Sequence, residues 1–283
     1  MSKPDWIAAI SRDMRLNAAA FIVTVYGDIV VPRGGVLWTG TLIELCARVG
    51  INESLVRTAV SRLVAAHQLQ GERVGRRSYY RLDASARAVF DQAAALLYGS
   101  DLPVRGWQVL HIPGLTPDEG RRLRMGHMGG SVFLRPDRGQ PPPPGAILLH
   151  AAAPDDPAPL AQFWDLSSLQ QGYEAMLSRF LPLDTALPAR PLADANADVD
   201  ADALVARLLL VHAYRHVLLR DPRLPPAALP RGWKGQEARA LFRRLYLRLT
   251  PGAERHIAAR LLGEAGPLPA RTAESAARLA GMA

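Results

Sequence analysis

The sequence predicts an α+β chain of several domains: an N-terminal winged helix-turn-helix, a small ferredoxin-like α+β module in the middle, and a helical C-terminal domain. Three observations predict it. At 283 residues the chain has length for about two domains of roughly 150 residues, or three smaller ones. Its texture changes twice, from helical periodicity to short apolar runs punctuated by Gly and Pro after residue 100, and back to helical periodicity after residue 203. A basic, Gly-containing reversal follows directly on a helix within the first hundred residues. The boundaries read as 1–100, 101–182, a linker at 183–203, and 204–283.

In the first segment, LNAAAFIVTVYGDIV at residues 16–30 is a nearly unbroken apolar run whose length favours a buried helix over a strand. Gly34 and Gly35 break the chain after Pro32. Thr39 or Thr41 is then placed to cap a second helix with Leu42, Leu45, Cys46 and Val49 as its inward stripe. Gly50 stops that helix and a third begins at Asn52. After it, LQGERV and SYYRL read as strands joined by a reversal from Val74 to Arg77, with Tyr79 and Tyr80 facing opposite ways. SARAVFDQAAALLYG closes the unit as a helix ending at Gly99.

The middle segment offers WQVLHI, SVFLRP and GAILLHA as strands, and TPDEGRRLRM as a short helix opened by Thr116 and Pro117. GHMGG at 126–130 reads as a loop, too short and lacking the lysine needed to cradle phosphate. PLAQFWDLSSLQQGYEAMLSRF is an amphipathic helical region, which completes a ferredoxin-like order except for a last strand. The Ala, Pro and Asp rich stretch that follows is expected to be a surface linker carrying Asp194, Asp198, Asp200 and Asp202. ALVARLLLVHAYRHVLLR and GQEARALFRRLYLRL are helices on either side of the turn DPRLPPAALPRGWKG, and the tail from Gly263 is expected to fray. The chain contains no internal repeat.

A net charge of +8 resting mainly on Arg favours a polyanionic partner or an acidic small molecule. The single Cys46 excludes an internal disulfide and a multi-cysteine metal site, and its apolar neighbours make it a buried structural thiol. No window reaches the uninterrupted run of about 18 apolar residues that spans a bilayer, so a soluble cytoplasmic protein is expected.

The third helix carries the most informative pattern. At about 100° per residue, Leu55, Val56, Ala59, Val60, Leu63 and Val64 fall within half a turn, and Ser54, Arg57, Thr58, Ser61 and Arg62 fill the opposite, acid-free arc. A helix exposed only for solubility favours Glu, Lys or Gln there, since Ser and Thr are mediocre helix formers. Short hydroxyls between arginines instead permit close approach to a major groove, with donors for phosphates and base edges. Asn52 at the cap leaves backbone N–H groups and a positive dipole end for a phosphate. Arg73, Arg76, Arg77 and Arg81 follow on the hairpin, opposed by Glu72 alone, where a wing tracks the backbone or enters the minor groove. Helix, turn, helix and basic wing together point to double-stranded DNA.

The stretch at residues 27–82, from GDIVVPRGG to RRSYYRL, closely resembles the winged-helix region of the PaaX family, repressors of phenylacetic acid catabolic operons. FWDLSSLQQGYEAMLSRFLPL and YRHVLLRDPRLPPAALPRGWKGQEARALFRRLYLRL are similar to that family's central Trp-Asp-Leu helix and its C-terminal Asp-Pro, Leu-Pro, Trp-x-Gly region. The resemblance covers most of residues 17–250 and fits least well around the four-proline tract at 141–144. It implies a homodimeric transcriptional regulator, usually a repressor, released from its operator by an aryl-CoA thioester such as phenylacetyl-CoA. The recognition helix is then 52–66 and the wing 72–82.

An acyl-CoA needs Arg or Lys for its phosphates and an apolar, often aromatic wall. Arg215, Arg220, Trp233 and Lys234 around the proline-rich turn are the candidates, with Arg121, Arg122 and Arg124 as the alternative cluster. In each, a purely structural use of the same residues competes: Trp233 packing helices together, arginines solvating a face. His212 and His216 lie four apart on a helix but lack a carboxylate or third ligand, so no metal and no cofactor is expected. An enzyme finds no GxSxG, HExxH or paired-carboxylate motif. The rival from that class is a nucleic-acid-processing enzyme with Asp137, Asp155 and Asp156 as metal carboxylates, though they sit in loops beside prolines. A winged helix used for protein contact is the third reading, distinguished by having no salt-dependent DNA affinity.

Overall fold

The computed structural model describes residues 6–11, 14, 16–187 and 196–282. The chain forms two compact units, one of residues 1–100, 177–215 and 239–283, the other of residues 101–176 and 216–238. The units therefore change over at residue 100, as the texture does, but each also takes a share of the C-terminal helices.

In the first unit a short helix α1 (Trp6–Ser11) precedes α2 (Ala18–Val25), whose N-terminus is capped by Asn17 accepting from the Ala20 N–H at 3.1 Å. The predicted helix does run on to residue 30, but as a π-helical turn over Tyr26–Val30, closed by the Val31 N–H reaching the Tyr26 carbonyl. A 3₁₀ turn, Val31–Arg33, then ends at Gly34, whose φ of +95° suits glycine. Strand β1 (Val36–Trp38), α3 (Thr39–Ala47), α4 (Glu53–Ala65), β2 (Leu69–Val74), β3 (Arg77–Leu82) and α5 (Arg87–Tyr98) follow. The sheet order β1-β3-β2 is antiparallel throughout and makes the wing a regular hairpin, Leu69 opposite Leu82 and Val74 opposite Arg77. Neither threonine caps α3: Trp38 stands at the cap position, Thr39 donates to the Ser78 carbonyl at 2.7 Å, and Thr41 accepts from the Leu262 N–H.

The second unit opens with β4 (Trp107–His111), α6 (Pro117–Arg122), β5 (Gly126–Gly129), β6 (Val132–Pro136) and β7 (Ile147–Ala151). Its antiparallel sheet is ordered β5-β6-β4-β7, the ferredoxin-like order. The strand missing from the sequence reading is β5, which lies in GHMGG; two glycines and a bulge between His127 and Gly129 hide its alternation. The second crossover, from β6 to β7, is the proline-rich loop at 137–146 instead of a helix. Leu110, Ile112, Met125 and Phe133 form the core, and Gly120 in α6 lets the Phe133 ring approach to a distance that a Cβ would obstruct.

Three long helices contribute to both units: α7 (Leu166–Ala186), α8 (Ala197–Leu218) and α9 (Gly235–Arg260). The linker reading for 183–203 needs correction, because residues 183–186 and 197–203 are helical; Asp194 and the rest of 188–195 lie outside the described residues. Asp198 is exposed as expected, but Asp200 is buried against Arg255 at 2.6 Å and Asp202 pairs with Arg48 at 3.4 Å, so these acids fasten helices. The tail does not fray: β8 (Leu262–Gly263) and β9 (Gly266–Pro267) pair, α10 (Ala273–Ala280) follows, and Arg33 donates to the carbonyls of Pro269 and Ala270.

Residues 203–211 of α8 are buried on every side, which makes this helix the centre of the first unit. The run includes Arg207, 1% exposed, paired at 3.0 Å with the fully buried Asp28 of the π-helical turn. The hydroxyls of Tyr246 and Tyr98 both donate to Asp28 Oδ1, at 2.7 and 2.9 Å. Burial alone raises the pKa of Asp28, but Arg207, the two hydroxyls and Arg278 outweigh it, and the carboxylate is held below its ordinary range.

Candidate nucleic-acid interface

The turn before α4 is built by Gly50, at φ +80°, with the Gly50 and Ile51 N–H groups returning to the Ala47 and Cys46 carbonyls. Buried Ile51 anchors it, and Asn52 caps α4 as predicted by accepting from the Leu55 N–H at 2.9 Å. Cys46 beneath the turn is buried, and burial pushes its thiol up to about 12, in keeping with a structural role.

Ser54, Arg57, Thr58, Ser61 and Arg62 are all exposed, and Val56, Ala59, Val60 and Leu63 all buried. Leu55 and Val64, expected in the core, are 52% and 37% exposed. The buried stripe is centred between Leu63 and Val56, and both Leu55 and Val64 lie about 90° from that centre. The outer arc is also not acid-free. Glu53 projects from its first turn and accepts from Arg57 Nε and a terminal nitrogen at 2.8 and 2.6 Å. The i,i+4 spacing that makes this pair was legible in the sequence.

On the wing, Gly75 at φ +61° begins the two-residue reversal from Val74 to Arg77. Arg73, Arg76 and Arg77 are exposed. Arg73 donates to the Gly75 carbonyl, and the Arg77 guanidinium lies 4.8 Å from the Trp38 ring centre. Arg81 is less available than its neighbours, since Glu72 holds it at 2.5 Å and Glu264 at 3.4 Å. Arg62 and Arg76 make no ion pair among the described residues. Between α4 and the wing lies an open cleft of about 450 Å³, reached by Arg57, Ser61, Val64, Arg73 and Tyr80. Thr39 and Tyr80 join it through tertiary pairing, for which local sequence gives no signal; Gly71 sits against the Tyr80 ring where a Cβ would collide. The whole arrangement sets the exposed arginines of α4 beside those of the wing.

The residues named for an acidic effector are dispersed. Arg215 belongs to the first unit and is occupied by the Ala20 carbonyl and the Thr24 hydroxyl, both at 3.1 Å. Trp233 stands edge-on to Tyr173 with ring centres 5.6 Å apart, so the turn uses the ring for packing, and Lys234 is held in a surface ion pair with Glu237 at 2.7 Å. Arg220 instead joins the alternative arginines. A cleft of about 380 Å³ in the second unit is lined by Arg121, Arg122, Trp164, Ser168, Leu169 and Arg220, together with the carboxylates of Asp118 and Asp165. Asp118 engages Arg121, whereas Asp165 accepts from the Ser168 N–H and the Ser167 hydroxyl. Arg124 contributes its carbonyl, which fixes the Trp164 indole N–H at 3.2 Å.

Of the histidine pair, His212 serves packing: it meets the Thr24 hydroxyl at 2.9 Å and the Phe21 ring edge-on. Asp137 is committed to Gly139, Gln108 and His150, and Asp156 caps the turn at Ala158. Among the described residues no group of three His, Cys, Asp or Glu side chains is placed to hold a metal ion, and no helix is long and apolar enough to cross a membrane.

Comparison with known proteins gives concordant matches. The family described as PaaX-like protein matches residues 17–86, and the PaaX-like protein C-terminal domain matches residues 164–259. The chain is 31% identical over 300 residues to the transcriptional repressor PaaX of Escherichia coli (strain K12), covering 95% of this chain and 92% of that protein. Among solved structures, the uncharacterized protein Rv0674 from Mycobacterium tuberculosis has a similar fold, with a TM-score of 0.50 at 22% identity over 84% of this chain and 99% of that one.

Proposed function

The chain belongs to the PaaX-like protein family, and from that premise we propose that it is a sequence-specific DNA-binding transcriptional repressor acting on double-stranded operator DNA. The observation that carries this reading is the outer arc of α4, where Ser54, Arg57, Thr58, Ser61 and Arg62 are exposed together on a helix whose opposite stripe is core. In this reading α4 enters the major groove, with Arg57 and Arg62 reaching base edges and the hydroxyls reaching bases or phosphates. Exposed Leu55 adds an apolar contact for a thymine methyl. Arg73, Arg76 and Arg77 lie along the phosphates, and Arg81 supports the wing from its two carboxylates. Asn52 and the first turn of α4 meet a further phosphate.

The effector in this reading is an aryl-CoA thioester such as phenylacetyl-CoA. Its place is the cleft of Arg121, Arg122, Arg220 and Trp164, which supplies cations and an aromatic wall together, in preference to the turn at Trp233 and Lys234. The repressor acts as a homodimer on two half-sites spaced by a helical turn or a multiple of it.

Selection of duplexes from a randomised pool, followed by a salt titration of the winning sequence, tests the DNA reading. A preferred site whose affinity falls steeply with salt is expected. Absence of any salt-dependent duplex affinity overturns it in favour of a winged helix used for protein contact, and cleavage of the duplex with Mg²⁺ or Mn²⁺ overturns it in favour of an enzyme. For the effector, phenylacetyl-CoA is expected to raise the melting temperature and release the duplex, and Arg121→Ala with Arg122→Ala to reduce both.

A further inference from the structure

The arginines of the wing are held by different means. Arg81 gives donors to two carboxylates, Glu72 at 2.5 Å and Glu264 at 3.4 Å, and Arg73 donates to the Gly75 carbonyl at 3.2 Å. Arg77 is held by a ring: its guanidinium carbon stands over the Trp38 indole, 4.8 Å from the ring centre, within the range of a cation–π contact. A carboxylate holds an arginine by taking up its N–H donors. A ring holds it by its charge and leaves those donors, set in a planar fork that matches a phosphate, for another partner.

The seat for this contact is built by the neighbours of both residues. Trp38 of β1 stands opposite Tyr79 of β3, and Arg77, two residues before Tyr79, shares the face of Tyr79, so Trp38 and Arg77 are diagonal neighbours on one face of the sheet. Between them the backbone is pinned by the buried Thr39 hydroxyl, which donates to the Ser78 carbonyl at 2.7 Å. Against the indole lies Gly40, in the first turn of α3, where a Cβ would come within 2.5 Å of ring carbons. Gly40 does not have the positive φ that calls for glycine, and glycine is a poor helix former; the close approach of the Trp38 ring is what requires it. Trp38 is half-buried in this seat, whereas Arg77 is exposed.

We propose that Trp38 is a positioning residue for DNA binding, acting through Arg77. The proposal rests on the reading of the wing as a phosphate contact. A free arginine side chain has many rotamers, and ordering it on a phosphate opposes binding. Over the Trp38 ring the guanidinium is ordered before the duplex arrives, with its donors still available, so the wing binds more tightly than its charge alone provides.

A double-mutant cycle on the full chain, read as duplex affinity, tests it. Trp38→Leu is expected to weaken binding about two- to fivefold, the factor that an exposed cation–π contact supplies. It should keep the parent's salt slope, because Arg77 still carries its charge, whereas Arg77→Ala lowers that slope by about 0.9. In the Arg77→Ala background Trp38→Leu is expected to leave affinity unchanged, and any loss of stability from the smaller side chain is common to both backgrounds and cancels. Trp38→Phe, which keeps an aromatic face, should bind more tightly than Trp38→Leu. Gly40→Ala, which obstructs the seat of the ring, should weaken binding as Trp38→Leu does, again only when Arg77 is present. Equal weakening by Trp38→Leu with and without Arg77 overturns the proposal and makes Trp38 a structural residue of the sheet. Nuclear magnetic resonance of the chain without DNA tests the contact itself: the Arg77 side-chain proton signals are expected upfield of ordinary arginine, through the ring current, and to return in Trp38→Leu. Ordinary positions in the parent overturn the contact. A parent with no salt-dependent duplex affinity removes the DNA reading, and this role with it, even where the upfield shift is present, so the two failures are told apart.

Discussion

Two arginine–carboxylate pairs in the first unit differ only in their surroundings. Arg207 and Asp28 meet at 3.0 Å with both side chains essentially inaccessible, and two tyrosine hydroxyls donate to the carboxylate's other oxygen. Arg57 and Glu53 meet at 2.6 Å on the open arc of α4, each more than half exposed. The first pair has given up its hydration and is bound to the architecture: removing one partner strands a charge in a medium that cannot solvate it. The second gains a few tenths of a kcal/mol at about this spacing, so a phosphate or guanine displaces Glu53 at little cost. Burial turns a charge into scaffold, and exposure leaves it free to act.

The largest expected effect comes from breaking the buried pair. Arg207→Ala or Asp28→Ala should lower unfolding free energy by about 3–5 kcal/mol, read from urea denaturation, and with it abolish DNA binding at moderate temperature. Asp28→Asn combined with Arg207→Met should cost clearly less than either single alanine change, since Asn keeps an acceptor for Tyr98 and Tyr246 and no charge is left alone. The pair also sets an acid limit. The folded-state pKa of Asp28 lies below its unfolded value, so its contribution is complete above the unfolded pKa of about 3.9 and is lost as pH falls through the folded value. The double variant should show a flatter acid limb than the parent; equal slopes would assign the acid sensitivity to other carboxylates.

Next come the exposed cations, where stability and binding should separate. Arg76→Ala with Arg77→Ala should leave the denaturation midpoint nearly unchanged and reduce the slope of log affinity against log salt by about 0.9 for each phosphate that is no longer neutralised. The weakening should be similar for preferred and unrelated duplexes. Arg57→Ala should act differently, relaxing the choice at one base pair on the order of tenfold to a hundredfold while leaving the salt slope almost intact. If Arg57→Ala instead reduces all duplexes alike, the residue is a backbone contact and the base readout falls to Arg62.

The same contrast explains what was legible in the sequence. The helix, turn, helix and wing were readable because each element depends on neighbours in the chain: Asn52 as cap, Gly50 as stop, Gly75 in the reversal, and an apolar stripe with i, i+3, i+4 spacing. The width of that stripe was not, because Leu55 and Val64 lie at its flanks and their burial is decided by partners from elsewhere in the chain. Asp28 and Arg207 are 179 positions apart and nothing local announces their meeting. The acids Asp200 and Asp202 looked like linker charge until Arg255 and Arg48 were brought to them. Strand β5 was hidden by its own glycines. The effector candidates failed for a similar reason: Arg215 was grouped with Trp233 by closeness in sequence, whereas folding gives it to the Ala20 carbonyl and gives Arg220 to the cleft of Arg121 and Trp164.

The smallest expected effect offers the finest separation of scaffold from function, because Asn52 belongs to both. Its side chain accepts from the Leu55 N–H, and the first turn of α4 beside it is where a phosphate meets the positive end of the helix dipole. Asn52→Ala removes the cap and should cost about 1 kcal/mol of stability, with a modest fall in affinity as the first turn loosens. Asn52→Asp keeps the cap and adds a negative charge where the dipole favours one, so stability should hold or rise by a few tenths of a kcal/mol, roughly. The same charge faces an incoming phosphate, so duplex affinity should fall, most steeply at low salt where repulsion is least screened. Stability and affinity moving in opposite directions in one variant is an outcome that a purely structural Asn52 cannot produce, and parallel movement of the two would remove this residue from the interface.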